Sequence, residues 1–273
     1  MSTNTLIIAG MHRSGTSLIS QWLNKCGLNL GHTLLGASDS NLDGHFEDVD
    51  FYRFHVDALT ANNLLQTGFI TEPVKSLTDY QKEKLKRIID FKNHISEQWG
   101  WKDPRTCLFL SHYRELMPNA YYLNIVRDYK STVSSMLHRD FKGYEAKYMK
   151  RAWLYKQIWL KIRRPRQRLK FYREHADLYL EVWLRYNEEI LKNIQTLPTD
   201  RFMVVDYRNL FEHDTEVFDT LKHHWHFDIT YCEFKKVFKE NLLSHVTNVD
   251  VYITDKNLIK KALKLEGLLR RYI

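Results

Sequence analysis

Cysteine is scarce in this 273-residue chain: Cys26, Cys107 and Cys232 are odd in number and far apart. That argues against a disulfide framework and against a metal knuckle, so a reducing, cytoplasmic setting is the simpler expectation. Glycine and proline are also few, at 10 and 5, which argues against low-complexity or disordered character, and no internal period suggests a solenoid. No stretch approaches the ~18 uninterrupted apolar residues of a membrane-spanning helix. The amino terminus passes from MSTNT straight into Leu6-Ile7-Ile8-Ala9, without the basic region or the long apolar core of an export signal. Acidic side chains are the minority, 33 against 41 basic ones, for a formal net charge of +8. Charge alone admits phosphate-rich ligands, acidic glycans, nucleic acid or anionic membrane surfaces as partners and chooses none of them.

What the chain does contain is 44% hydrophobic and 14% aromatic residues, enough to fill the core of one large domain spanning 1–273. Short apolar runs at 5–10, 121–126 and 202–206 end in polar residues or glycine and are each followed by helix-like sequence, the alternation of a parallel sheet. A fourth strand is predicted at Gln98-Trp99-Gly100-Trp101-Lys102, ahead of Asp103-Pro104, where aspartate caps a helix and proline opens it. Helices are predicted at about 15–26, 48–63, 78–97, 104–116 and 129–139, then over a long region from 144 to 195, with a helical tail from 231. Residues 28–47 read as one long loop of the kind that carries function. The expected fold class is a three-layer α/β fold with a central parallel sheet flanked by helices and a helix-rich C-terminal half.

The segment Gly10-Met11-His12-Arg13-Ser14-Gly15-Thr16-Ser17 joins the first strand to the first helix and fits G-x-x-x-x-G-x-[ST], the frame of a phosphate-binding loop. Glycines at both ends let the backbone curl so that successive N–H groups and the helix N-terminus face an anion. The lysine that reaches the β- and γ-phosphates of ATP in nucleotide triphosphatases is replaced here by Thr16, which disfavours an ordinary kinase or ATPase. Positive charge comes instead from Arg13, whose planar donor fork suits phosphate or sulfate oxygens.

On these residues the loop resembles the 5′-phosphosulfate loop of the P-loop sulfotransferases, in particular those carrying Arg-Ser-Gly-Thr. Three more segments agree in order: Gly44-His45-Phe46-Glu47-Asp48, Trp101-Lys102-Asp103-Pro104-Arg105, and Ile125-Val126-Arg127-Asp128 with Ser131 and Ser135. The matches run from about 6 to 139, with a weaker echo through 212. The resemblance implies 3′-phosphoadenosine 5′-phosphosulfate as donor and 3′-phosphoadenosine 5′-phosphate as product; no metal is expected, since the phosphosulfate carries less charge than a triphosphate and no acidic Mg²⁺ site is evident in the sequence. It assigns the phosphosulfate to the loop residues Arg13, Ser14, Gly15, Thr16 and Ser17 with Lys102, the 3′-phosphate to Arg127 and Ser135, and the adenine to Tyr207. Arg105 flanks the same helix start as Lys102, where cations are unexpected on dipole grounds and so answer an anionic ligand.

Transfer to an alcohol needs a base for the hydroxyl proton. Glu47 resembles the acidic position that serves as base in relatives with an arginine-type loop. The alternatives are that Glu47 or Asp48 merely supplies charge to the first turn of the next helix, or that His45 is the base, with His12 a minor candidate. The acceptor is a hydroxyl compound, acidic if the basic aromatic segment Lys150 to Arg173 binds it. That segment belongs to a basic helical elaboration at about 140–175, which reads most simply as a cover over the acceptor cleft with its charged face in solvent. A membrane-surface or nucleic-acid strip shows the same mixture; nucleic acid is not expected, and peripheral membrane contact is compatible with it. Two rival functions stand beside sulfuryl transfer: a phosphotransferase of the nucleotide-kinase type, and a non-catalytic module that binds anionic ligands.

Overall fold

The computed structural model describes residues 3–36, 46–206, 208–238 and 246–273. Four strands, β1 (Asn4–Gly10), β2 (Gln98–Lys102), β3 (Tyr121–Val126) and β4 (Phe202–Asp206), form one all-parallel sheet in the order β2-β1-β3-β4. The chain places β2 on one side of β1 and then crosses to place β3 on the other. The β1/β3 boundary is therefore the topological switch point, where open α/β sheets bind ligands outside the carboxyl ends of the strands.

The alternation of side chains along a strand divides the molecule into two cores. Ile7 and Ala9 of β1 join Tyr122, Val126 and Val204 on one face. Leu6 and Ile8 join Leu123, Ile125 and Val205 on the other. The first face is covered by α2 (Val49–Ala61), α3 (Asp79–Ile95), α4 (Leu110–Leu116), α5 (Tyr129–Met149), α7 (Arg164–Ile194) and α9 (Lys256–Leu269); the second by α1 (Thr16–Lys25) and α8 (Leu210–Asp219). Helices on both faces make every β1 position from Thr5 onward buried, which is why that strand reads as a continuous apolar run. The expected three-layer α/β fold is what forms.

Several helix starts follow from local chemistry. Thr78 and Gln81 form a reciprocal capping box at α3, Asp48 accepts from the Asp50 N–H at α2, and Asp128 accepts from the Ser131 N–H at α5. Four sequence expectations need correction. Residues Pro104–Phe109 form a 3₁₀ turn before α4: Asp103 caps it and Pro104 opens it, and all six residues are buried. Helix α5 continues ten residues past 139, because Phe141 and Tyr144 keep an apolar face against Phe171 of α7. The helical region to 195 is broken by residues 150–152, followed by α6 (Trp153–Ile158) and a π-helical turn at Trp159–Arg163. In the tail, the α-helix among the described residues is α9; 234–236 and 249–251 are 3₁₀ turns. Cys26, Cys107 and Cys232 are free thiols.

Candidate active site

Strand β1 ends at Gly10 and α1 begins at Thr16, so the loop between them opens at the switch point. Gly10 is obligatory on steric grounds: a Cβ there would stand 2.6 Å from Thr16 Cγ2 and 2.8 Å from the Ile125 carbonyl oxygen. The Ser14 hydroxyl donates to the Met11 carbonyl at 2.7 Å and tightens the turn. Gly15 takes the left-handed region at φ 97°, and Arg13 does so at φ 67° despite its side chain. A non-glycine residue there costs about 1–2 kcal/mol, so the surroundings must hold it. They do so from two elements. Arg127, just past β3, donates from Nη1 to the Arg13 carbonyl at 2.9 Å, and Arg13 Nε donates to Ser135 Oγ of α5 at 3.0 Å.

These contacts bring Arg13, Arg127 and Ser135 together. Arg139, one turn beyond Ser135, adds a third guanidinium that sequence reading did not single out. Burial, then the charges of Arg139 and Arg127, push the Arg13 guanidinium below its ordinary pKa. Asp140 pairs with Arg139 at 2.6 Å and accepts from the Tyr179 hydroxyl at 2.6 Å. Three guanidiniums held against mutual repulsion form a place for an anion.

On the other side of the loop, Lys102 at the end of β2 is buried and donates to Glu47 Oε1 at 3.0 Å and to Ser17 Oγ at 3.2 Å. Arg105 Nη1 approaches Glu47 Oε2 at 3.9 Å. Burial raises the pKa of Glu47, and Lys102 and Arg105 oppose that shift. Glu47 is positioned from behind by Asp48, whose carboxylate meets buried Lys92 of α3 at 2.7 Å; Lys92 also reaches Asp50 at 2.8 Å. Asp48 thus caps α2 and fixes its entry, and Glu47 is free of the capping role.

Arg105 is set by a network absent from the sequence reading. Asp103 accepts from both the backbone N–H and Nη1 of Arg105, at 2.8 and 3.0 Å. Its second oxygen meets His55 Nδ1 at 3.1 Å, and His55 Nε2 meets the Tyr113 hydroxyl at 2.8 Å. Burial works to raise the Asp103 pKa, but His55 and Arg105 outweigh it and hold the carboxyl well below the usual carboxylate range. The one sequence signal for this network was a histidine among Phe51, Phe54, Ala58 and Leu59 on the buried face of α2.

His12 lies between the two groups. Its ring packs 5.2 Å from Phe69 and 5.9 Å from Tyr186 of α7, and Arg139 sits 5.3 Å from the same Phe69 ring. Its Nε2 is sealed from solvent and has no hydrogen-bond partner among the described residues, although the residue as a whole is half-buried. Burial, then Arg105 and Arg139, lower its pKa to about 3, which makes it a weak proton acceptor. His45 and Tyr207 lie outside the described residues.

A model described as "Sulfotransferase family" matches residues 5–230. Among solved structures, sulfotransferase STF9 from Mycobacterium avium is 14% identical, with a TM-score of 0.53 over 100% of this chain and 76% of that one. The sulfotransferase domain of the Synechococcus PCC 7002 olefin synthase is 16% identical, with a TM-score of 0.48 over 99% of this chain and 95% of that one. No curated protein matches the chain.

Proposed function

Because the chain belongs to the sulfotransferase family, we propose that it moves a sulfuryl group from 3′-phosphoadenosine 5′-phosphosulfate to an acceptor hydroxyl. The observation that carries this reading is the convergence of Arg13, Arg127 and Ser135 on a lysine-free phosphate loop. A ligand with anionic groups at two ends answers both halves of the site. The loop N–H groups of 13–17, Arg13 and Lys102 hold the phosphosulfate, while Arg127 and Ser135 hold the 3′-phosphate. The cradle suits such a ligand, since Gly10 lets α1 approach closely and the αL turns at Arg13 and Gly15 shape the loop around an anion.

In the reaction the acceptor oxygen attacks sulfur in line with the bridging oxygen of the phosphosulfate. The new O–S bond forms as the old one breaks, and the electron pair leaves with the phosphate of 3′-phosphoadenosine 5′-phosphate. Glu47 takes the hydroxyl proton. Its pairing with Lys102 supports the assignment: with a donor present, Lys102 turns its charge to the sulfuryl and leaving oxygens, and Glu47, no longer neutralised and raised in pKa by burial, is left as the base. His12, with its pKa lowered to about 3, is set aside for that role.

The test is incubation with donor labelled with sulfur-35 and a set of phenols, sugars and primary alcohols. Label in an acceptor product and its loss in Glu47→Gln support the proposal. Phosphate transfer from ATP that requires Mg²⁺, with no label transferred from the donor, sinks it in favour of the kinase-type rival.

A further inference from the structure

The net excess of positive charge in this protein lies in one stretch of the chain. Residues 146–173 hold 11 lysines and arginines and no aspartate or glutamate. The other 30 basic residues face all 33 acidic ones, so the rest of the molecule is net −3. This stretch comprises the end of α5, α6, the π-helical turn and the first turns of α7.

Its inward face is anchored. Trp159 stacks on Tyr148 of α5 with ring centroids 3.7 Å apart and 6° between planes, Tyr172 is buried, and Arg164 pairs with Glu145 at 2.7 Å. Its outward face is exposed and mixed. Trp153, Leu154 and Tyr155 are 73%, 60% and 62% exposed, and Ile162 and Leu169 are 60% and 41% exposed. Between and beyond them stand the exposed cations Lys161, Arg163, Arg166, Lys170 and Arg173. Within α7, Arg166, Leu169, Lys170 and Arg173 recur at the three- and four-residue spacing of one helix face. Among the described residues, only Arg164 and Lys170 of the eleven cations pair with a carboxylate.

We propose that this face docks the protein on a bilayer surface containing anionic phospholipid. Each half of the mixture has a counterpart there. Exposed aromatic and aliphatic side chains enter the boundary between headgroups and acyl chains, and cations beside them are attracted to an anionic leaflet. A merely solvated helix face has no use for three consecutive large apolar residues at its tip, since scattered single ones are what a free surface shows. A nucleic acid would answer the cations and leave Leu154, Ile162 and Leu169 in water. A second copy of the chain would bring two strongly cationic faces together. No helix among the described residues is long and apolar enough to cross a membrane, so the contact is peripheral. The phosphate loop is left open by it: Tyr186, which touches His12, lies 20 residues further along α7 than Arg166, about 30 Å at 1.5 Å per residue.

The experiment is co-sedimentation of the full chain with vesicles of phosphatidylcholine alone, and of phosphatidylcholine with roughly one-third phosphatidylglycerol, at low and high salt. We expect binding to the mixed vesicles only, weakened by salt, cut about tenfold or more when Trp153, Leu154 and Tyr155 are all changed to serine, and abolished by Arg166→Glu with Lys170→Glu. Both variants keep their circular dichroism and their affinity for 3′-phosphoadenosine 5′-phosphate, because none of these residues lies at the phosphate loop. Failure to bind mixed vesicles overturns the proposal. So does a serine variant that binds as well as the parent, or an oligonucleotide that binds more tightly than the vesicles and displaces them. None of these results bears on the sulfuryl-transfer reading, which rests on other residues.

Discussion

At the scale of single residues, the proposed chemistry depends on two kinds of group: fixed cations and one carboxylate. Removing the guanidinium in Arg127→Ala takes away both a 3′-phosphate contact and the donor to the Arg13 carbonyl. Calorimetry is expected to show product-nucleotide affinity falling by at least tenfold, consistent with about 1.5–3 kcal/mol for a hydrogen bond to a charged group. Glu47→Gln is expected to lower kcat by about 10²- to 10⁴-fold, the contribution of a general base, while leaving product-nucleotide affinity within a few-fold. A base acts only when deprotonated, and burial raises the Glu47 pKa. The rate should therefore rise with pH through an acid limb lying above the ordinary carboxylate range, and that limb should vanish in Glu47→Gln. An acid limb unchanged in the variant would remove Glu47 from the role. Arg13 was legible from the frame of the phosphate loop, whereas the roles of Lys102, Arg127 and Ser135 came from the resemblance of their segments to the family, the strand end before Arg127 adding only that it stands at a ligand-binding edge. Arg139 was not legible, since a cation in the middle of a helix resembles any solvated position until its neighbours are known.

At the scale of elements, the site is held by buried charges that connect one helix to the next. Lys92 of α3 fixes Asp48, and through it the entry of α2 behind Glu47. Lys92→Met leaves the carboxylate of Asp48 buried and unpaired, which is expected to cost about 3–5 kcal/mol in denaturant unfolding and to lower kcat more than it changes nucleotide affinity. The Asp103 network links α2, the 3₁₀ turn after β2 and α4. Its carboxyl is held below the ordinary range in the folded protein. The stability it supplies is therefore fully present above the unfolded carboxylate pKa of about 3.9 and is lost as pH falls below that value. Thermal unfolding should show a steep acid loss below about pH 4 that is shallower in Asp103→Asn; equal slopes would contradict this account of the network. His55 carried a sequence signal as a polar residue on an apolar helix face, but its partners are 48 and 58 residues away, beyond what helical periodicity can report. The C-terminal helix was equally opaque. Glu266 of α9 accepts from the Tyr129 N–H at 2.5 Å, beside the Asp128 cap, so α9 closes the start of α5 next to Arg127, a tertiary contact with no local signature.

At the scale of the whole molecule, the sheet order β2-β1-β3-β4 places the carboxyl ends of β1, β2 and β3 around one opening, and each contributes its own cation: Arg13, Lys102 and Arg127. This much followed from the sequence, because apolar runs ending in charged or glycine residues and followed by helices define a parallel sheet and the edge that binds. The break after α5 did not, because an amphipathic pattern of basic and aromatic residues continues across it without a proline or glycine at the join; the π-helical turn had one local mark, Pro165 in the first turn of α7. Charge is likewise organised globally, with the excess in the α6–α7 segment and a smaller cationic centre at the phosphate loop. The central claim is that the loop centre is built for a nucleotide bearing both 3′- and 5′-anionic groups. Calorimetric titration of the purified protein with 3′-phosphoadenosine 5′-phosphate, AMP, and ATP with Mg²⁺ tests it most directly. The account predicts micromolar binding of the bisphosphate, markedly weaker binding of AMP, and loss of the difference in Arg127→Ala; ATP with Mg²⁺ binding as well as the bisphosphate or better would contradict it.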